Sequence, residues 1–111
     1  MTYYLYHGTT NPLYGKIRIA GRNGWGAYFA KDKKDTQIFG DLLHKVKIVS
    51  KNSRIFIDNE VGRYPFFNIS KDHYDEYIKQ GYDSLIWYRR GKLKEFVVLD
   101  PSIVKNYEMV R

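Results

Sequence analysis

Two runs rich in branched and aromatic side chains, residues 83–88 and 93–99, stand on either side of Arg89-Arg90-Gly91-Lys92. Such runs separated by a short glycine-containing turn read as a β-hairpin. An isolated hairpin is at best marginally stable in water, so the rest of the chain has to supply more sheet or a covering helix. Residues 2–7 (closed by Gly8), 26–30, 45–49 and 54–58 read as strands, and 103–109 adds a last one after Asp100-Pro101 ends the hairpin. Ser70 is a natural N-cap for a helix over 71–80, where Tyr74, Tyr77 and Ile78 fall at helical spacing and Gly81 supplies the C′ residue. Asp32 caps a second short helix over 33–40 with Ile38 and Phe39 facing inward, and the glycine-rich stretch 11–26 reads as a long connection. The stretch 62–67 fits neither a helix nor a strand pattern clearly. The expectation is one α+β domain over residues 1–111, dominated by strands, with two or more short helices.

At 111 residues the chain is long enough for one core without metal or disulfide staples. It has no cysteine, which excludes disulfides, a thiolate zinc site and a cysteine nucleophile. The amino terminus lacks a basic segment followed by an apolar one, and no apolar run reaches membrane-spanning length, so a cytoplasmic protein with no membrane partner is expected. Nineteen Lys and Arg against twelve Asp and Glu give +7. The excess is concentrated in the first fifty residues, which include Lys16, Arg18, Arg22, Lys31, Lys33 and Lys34. That balance favours an anionic partner without choosing among nucleic acid, lipid and phosphorylated small molecules. Eleven tyrosines either fill half-buried sheet positions or offer flat faces for stacking on a ring-shaped ligand.

The second hairpin arm carries the most informative residue. Alternation sets Glu95 on one face with Leu93, Val97 and Leu99. A carboxylate on an apolar face costs free energy unless something answers it, so Glu95 is either a structural ion-pair member, with Lys94 or Lys45, or a catalytic acid in a cleft. His7 ends the first strand on the face of Tyr3 and Leu5, with Gly8 leaving the backbone approachable and Thr9 and Thr10 offering hydroxyls. Tyr28 taken singly reads as core, as an aromatic in a short apolar strand usually does.

In order along the chain, Tyr6-His7-Gly8-Thr9, then Gly24-Trp25-Gly26-Ala27-Tyr28-Phe29-Ala30, Phe39-Gly40, Gly81-Tyr82-Asp83-Ser84-Leu85-Ile86 and Lys94-Glu95-Phe96-Val97-Val98-Leu99-Asp100-Pro101-Ser102 resemble ADP-ribosyltransferases. The resemblance is to the small domains with a His-Tyr-Glu triad found in phage and mobile-element polyvalent proteins, and it spans most of the chain except residues 50–70. It implies a split β-sandwich with His7, Tyr28 and Glu95 lining one cleft that binds NAD+ as co-substrate. His7 would contact the adenosine-side ribose, Gly8 the nicotinamide amide through its backbone, and Tyr28 the nicotinamide ring. Glu95 would hold the nicotinamide-side ribose. The implied nucleotide-binding set is thus His7, Gly8, Thr9, Tyr28 and Phe29, and the catalytic set Glu95, Tyr28 and His7, with no metal. Leu93 stands where arginine-directed members carry Glu or Gln, so the resemblance does not support an arginine acceptor. The tyrosine motif lacks the Ser-Thr-Ser form of another branch, and the His and Arg set of RNA 2′-phosphotransferases has no clear equivalent.

The function expected is mono-ADP-ribosyl transfer from NAD+ to a protein or nucleic-acid acceptor, with NAD+ hydrolysis as a side reaction, by a monomer. A phage-encoded, toxin-like protein acting in the host cytoplasm fits that expectation. The alternatives are a non-enzymatic basic nucleic-acid-binding module and an inhibitory interaction module; Glu95 argues against the first, since a phosphate-binding surface has no use for a carboxylate there.

Overall fold

The computed structural model describes residues 1–9, 20–21, 24–33, 42–57 and 69–109. Nine strands run through them: β1 (Thr2–Thr9), β2 (Ala20–Gly21), β3 (Gly24–Trp25), β4 (Ala27–Phe29), β5 (Leu42–Val49), β6 (Ser53–Ile57), β7 (Ser84–Arg89), β8 (Lys92–Val98) and β9 (Val104–Met109). One α-helix, α1 (Lys71–Lys79), and a 3₁₀ turn (Pro101–Ile103) complete the set. The expected fold class, an α+β ADP-ribosyltransferase-like split β-sandwich with two or more short helices, is therefore corrected. Among the described residues the protein is mostly β, two sheets with a single α-helix, because paired strands take up most of them, β1 and β5 running eight residues each, past the spans 2–7 and 45–49. The expected helix over 33–40 falls outside the described residues save for its first, Lys33, and Lys16, Arg18, Arg22 and Lys34 lie outside them altogether.

β1, β5 and β9 form an antiparallel sheet in the order β1-β5-β9, and a second sheet runs β4-β8-β7-β6. β2 and β3 pair as a small ribbon. The hairpin of β7 and β8 is closed by Arg90 and Gly91, both at positive φ (53° and 76°), the backbone that matches the right-handed twist of the strands it joins. β6 runs parallel to β7, and α1 lies in the crossover between them. Ser70 caps α1 by accepting from the His73 amide at 3.1 Å. Gly81 follows the helix at φ 89°. Tyr74 and Tyr77 pack inward as the spacing predicts, whereas Ile78 is exposed.

Two apolar clusters occupy the two faces of the second sheet. Between the sheets, Leu5, Val46 and Ile48 meet Ala27, Phe29, Ile86, Phe96 and Val98. On the outer face, Tyr28, Phe56, Leu85, Trp87, Val97 and Leu99 pack with Ile69 and the inward tyrosines of α1. Tyr74 ties the helix to the sheet by donating its hydroxyl to the Leu99 carbonyl at 2.6 Å. Strands buried on both faces explain why β4, β7 and β8 read as near-continuous apolar runs. Gly26, before β4, sits at φ 96° with its missing Cβ pointing at Val97, so no larger residue fits there.

Asp83 joins β6, β7 and β8 at one end of this sheet. Its carboxylate accepts from the Lys51 and Asn52 amides at 2.7 and 3.1 Å and from the Ser84 hydroxyl at 2.7 Å. Its carbonyl accepts from the Leu99 and Asp100 amides. Hydrogen bonds to an ionised acceptor contribute more than neutral ones, and their loss strands the donors. Asp83→Ala is expected to lower unfolding stability by ~2–4 kcal/mol, with Asp83→Asn recovering part of it, as measured by urea denaturation.

Candidate functional site

The two sheets meet edge to edge at a single point. Tyr6 and Ala30, the residue after β4, exchange both backbone hydrogen bonds, at 2.8 and 3.0 Å, as an isolated bridge, and among the described residues no further pairing joins β1 to β4. Beyond it the His7 imidazole takes over. Its Nδ1–H donates to the Tyr28 carbonyl at 2.6 Å, and its ring packs on Phe29 with centroids 4.6 Å apart. Donation from Nδ1 leaves Nε2 as the acceptor of a neutral imidazole. Burial, together with the neighbouring His44, pulls the His7 pKa below the usual histidine value, and the Tyr28 carbonyl opposes this. The parting of the strands has a consequence for Gly8. Backbone groups two residues apart point to the same strand edge, so Gly8 directs its N–H and C=O where Tyr6 does, toward β4. Among the described residues no hydrogen bond takes them up.

Glu95 owes its position to a β-bulge. Tyr88 pairs with Leu93 and Trp87 pairs with Glu95, which leaves Lys94 as the extra residue of β8. Alternation restarts after the bulge, so Leu93 packs toward the core between the sheets while Glu95, Val97 and Leu99 take the outer face with Tyr28 and Trp87. The expected grouping of Leu93 with Glu95 is thus corrected. Bulges that re-aim one side chain are frequent beside functional sites. Glu95 is half-buried, and no hydrogen bond or ion pair joins it to another described residue; this includes Lys45, offered from the sequence as a pairing partner. Loss of solvation pushes its pKa up to about 7, against a small opposing effect of Lys94.

Tyr28 links the two halves. Its carbonyl holds His7 and its ring lies on the Glu95 face, where burial and the Glu95 charge raise the phenol pKa against a backbone hydrogen bond from Ile69. The three residues therefore converge through Tyr28, not as three side chains on one cleft wall. The His7 ring lies on the Phe29 side of the second sheet and Glu95 on the Trp87 side. Tyr28 itself is only 6% exposed, packed in the outer cluster, so its ring is a core element here. Phe29, expected as a nucleotide contact, is buried between the sheets with its ring against His7. Thr9 ends β1 opposite Leu42. Lys31 and Lys33 are exposed, and the Lys33 ammonium lies 5.7 Å from the Tyr6 ring centroid.

Two residues that sequence reasoning missed sit beside this framework. Among the described residues, two buried side-chain polar atoms find no hydrogen-bond partner, His44 Nδ1 and Trp87 Nε1. His44 is directly opposite His7, and Trp87 directly opposite Glu95. Unsatisfied buried polar groups are rare in native proteins, and each calls for a physical explanation. The signal in the sequence was only the presence of a histidine and a tryptophan in strands, since the registers that pair them depend on the fold. The described residues contain no group of three or more His, Asp or Glu able to hold a metal, and no helix among them is long and apolar enough to cross a membrane.

No protein-family model and no curated protein matches the chain. Among solved structures it is similar to one described as "Crystal structure of an anti-CRISPR protein", at 14% identity and a TM-score of 0.55, covering 99% of this chain and 96% of that one. At that identity the likeness concerns the fold.

Two predictions follow from these placements. The unfolded chain releases the Glu95 proton near pH 4.5 and the native one near 7, so between those values the native state binds more protons and stability falls as pH rises. Glu95→Gln escapes that loss: its melting should match wild type near pH 4 and exceed it above pH 7, by about 2–3 kcal/mol. Tyr28→Ala should cost ~3–5 kcal/mol in chemical denaturation, the range for deleting a large buried aromatic, and Tyr28→Phe much less.

Proposed function

We propose that this protein is a mono-ADP-ribosyltransferase that uses NAD+ as co-substrate and a macromolecule as acceptor, and that Glu95 carries the reaction. The observation behind this reading is a single one: a desolvated, unpaired carboxylate set by a bulge next to a buried, unsatisfied donor. Such an arrangement costs stability, and it is offset when a cation arrives. NAD+ brings one in its pyridinium ring. When the C1′–N1 bond breaks, nicotinamide leaves with the bonding electrons as a neutral molecule, and the positive charge moves onto the ribose as an oxocarbenium ion. A fixed carboxylate nearby stabilises that ion more than the ground state, which is the condition for catalysis. The acceptor then forms its bond to C1′ and its proton passes to Glu95.

Gly8 is buried, and its peptide edge, unpaired among the described residues, supports the same substrate. A carboxamide presents one N–H and one C=O side by side, the complement of a strand edge whose N–H and C=O are unused. Nicotinamide carries such a group. His7, by holding β1 against the Tyr28 carbonyl, keeps that edge in place. The bulge also turns Leu93 away from Glu95, leaving no polar side chain from that position beside the carboxylate to orient an arginine acceptor. The proposal rests on these features of the site and not on the fold class.

Wild type should release nicotinamide from NAD+, with kcat/KM rising with pH through a midpoint near 7 as free Glu95 ionises. Glu95→Gln keeps the shape and loses the charge, and at saturating NAD+ its single-turnover release should fall by at least ~10²-fold with little change in NAD+ affinity. Equal rates in the two proteins would remove Glu95 from the mechanism. Labelled NAD+ incubated with cell lysate, followed by protease or nuclease digestion of the product, assigns the acceptor to protein or nucleic acid.

A further inference from the structure

We infer that Trp87 is a positioning residue for Glu95, its indole N–H donating to the carboxylate whenever that group is ionised. The two residues are direct cross-strand partners on the outer face of the second sheet. Side chains opposed in this way lie roughly 5 Å apart at Cβ, within reach of an indole and a glutamate. Trp87 is 4% exposed and its Nε1 has no hydrogen-bond partner, an expensive state for a donor that water does not reach. Glu95, beside it, has no partner either among the described residues.

Two unsatisfied groups of complementary chemistry at neighbouring register positions make a pair that closes when the carboxyl loses its proton. The neutral acid has little need of the indole, whereas the carboxylate gains a charge-assisted hydrogen bond from it. On its own strand Lys94 is the adjacent, exposed residue that acts on it only through space, and from β4 Tyr28 brings a phenol that burial and the Glu95 charge keep neutral across this pH range. Without the bulge at Lys94, continued pairing from Tyr88 and Leu93 would set Glu95 opposite Ile86, which has nothing to donate. The bulge therefore sets a buried, unpartnered donor directly across the strand pair from the carboxylate. This inference deepens the reading of Glu95 given above, but the pair itself is a property of the protein without NAD+.

The test follows the indole N–H resonance of Trp87 in ¹⁵N-labelled protein between pH 5 and 9, alongside the Glu95 carboxyl carbon. Trp87→Phe and Trp25→Phe separate the two tryptophan signals. The Trp87 proton is expected to move downfield with the same midpoint as the Glu95 carbon, and to stay still in Glu95→Gln. In Trp87→Phe, which keeps a ring and loses the donor, the pH midpoint of kcat/KM should move up by about one pH unit. An indole signal that stays flat while Glu95 titrates, or an unmoved midpoint in a folded Trp87→Phe, overturns the inference. The resonance is read on wild type, so it decides even where Trp87→Phe does not fold. Absence of nicotinamide release from wild type would defeat the transferase reading alone, since the titration needs no substrate.

Discussion

The hydrogen bond from His7 Nδ1–H to the Tyr28 carbonyl is the contact on which the arrangement of the site depends. Two antiparallel strands that began to pair at Tyr6 and Ala30 would ordinarily continue, and Gly8 would then meet Tyr28 backbone to backbone. The imidazole takes the Tyr28 carbonyl instead, so the strands part without leaving that acceptor unpaired. Gly8 keeps an edge that nothing else among the described residues uses, and the Phe29 ring fixes the imidazole from one side.

On the other face of β4 a second irregularity does comparable work. The bulge in β8 takes one residue out of register and so exchanges the surroundings of Glu95, from the core between the sheets to the Tyr28 and Trp87 face. Both irregularities leave polar groups short of partners in places where a folded chain normally satisfies them: the Gly8 edge, Glu95, Trp87 Nε1 and His44 Nδ1. The sheets around them are well packed, with Phe29, Phe96, Ile86 and Leu85 fully enclosed. A stable frame with local deficits of this kind is how strain is retained at sites that bind.

Much of this frame was legible from residue order. The β7–β8 hairpin followed from its turn, α1 from Ser70 and Gly81, and the His7 face from simple alternation in β1, because each depends on local chemistry or on period. Glu95 stands out in the sequence as a charge in an apolar strand, and its grouping with Val97 and Leu99 holds, but a bulge is a product of pairing and strict alternation wrongly carries Leu93 along with it. The α+β class is corrected because strands account for most of what the structure describes, with one α-helix among those residues; the second expected helix, over 33–40, lies outside them save for Lys33. Trp87 and His44 were invisible because their importance comes from which residue lies across the sheet. Tyr28 was read both as core and as ligand contact, and its burial in the outer cluster favours the first for the ring while its carbonyl serves the site.

Hydrogen exchange at the Gly8 amide, with and without nicotinamide, tests most directly whether the parted strands are a binding edge. If the edge accepts a carboxamide, the Gly8 amide should exchange more slowly when nicotinamide is added, while the Tyr6 amide, already bonded to Ala30, keeps its rate. A Gly8 amide indifferent to saturating nicotinamide, or protection appearing only at strands remote from β1 and β4, would contradict the account.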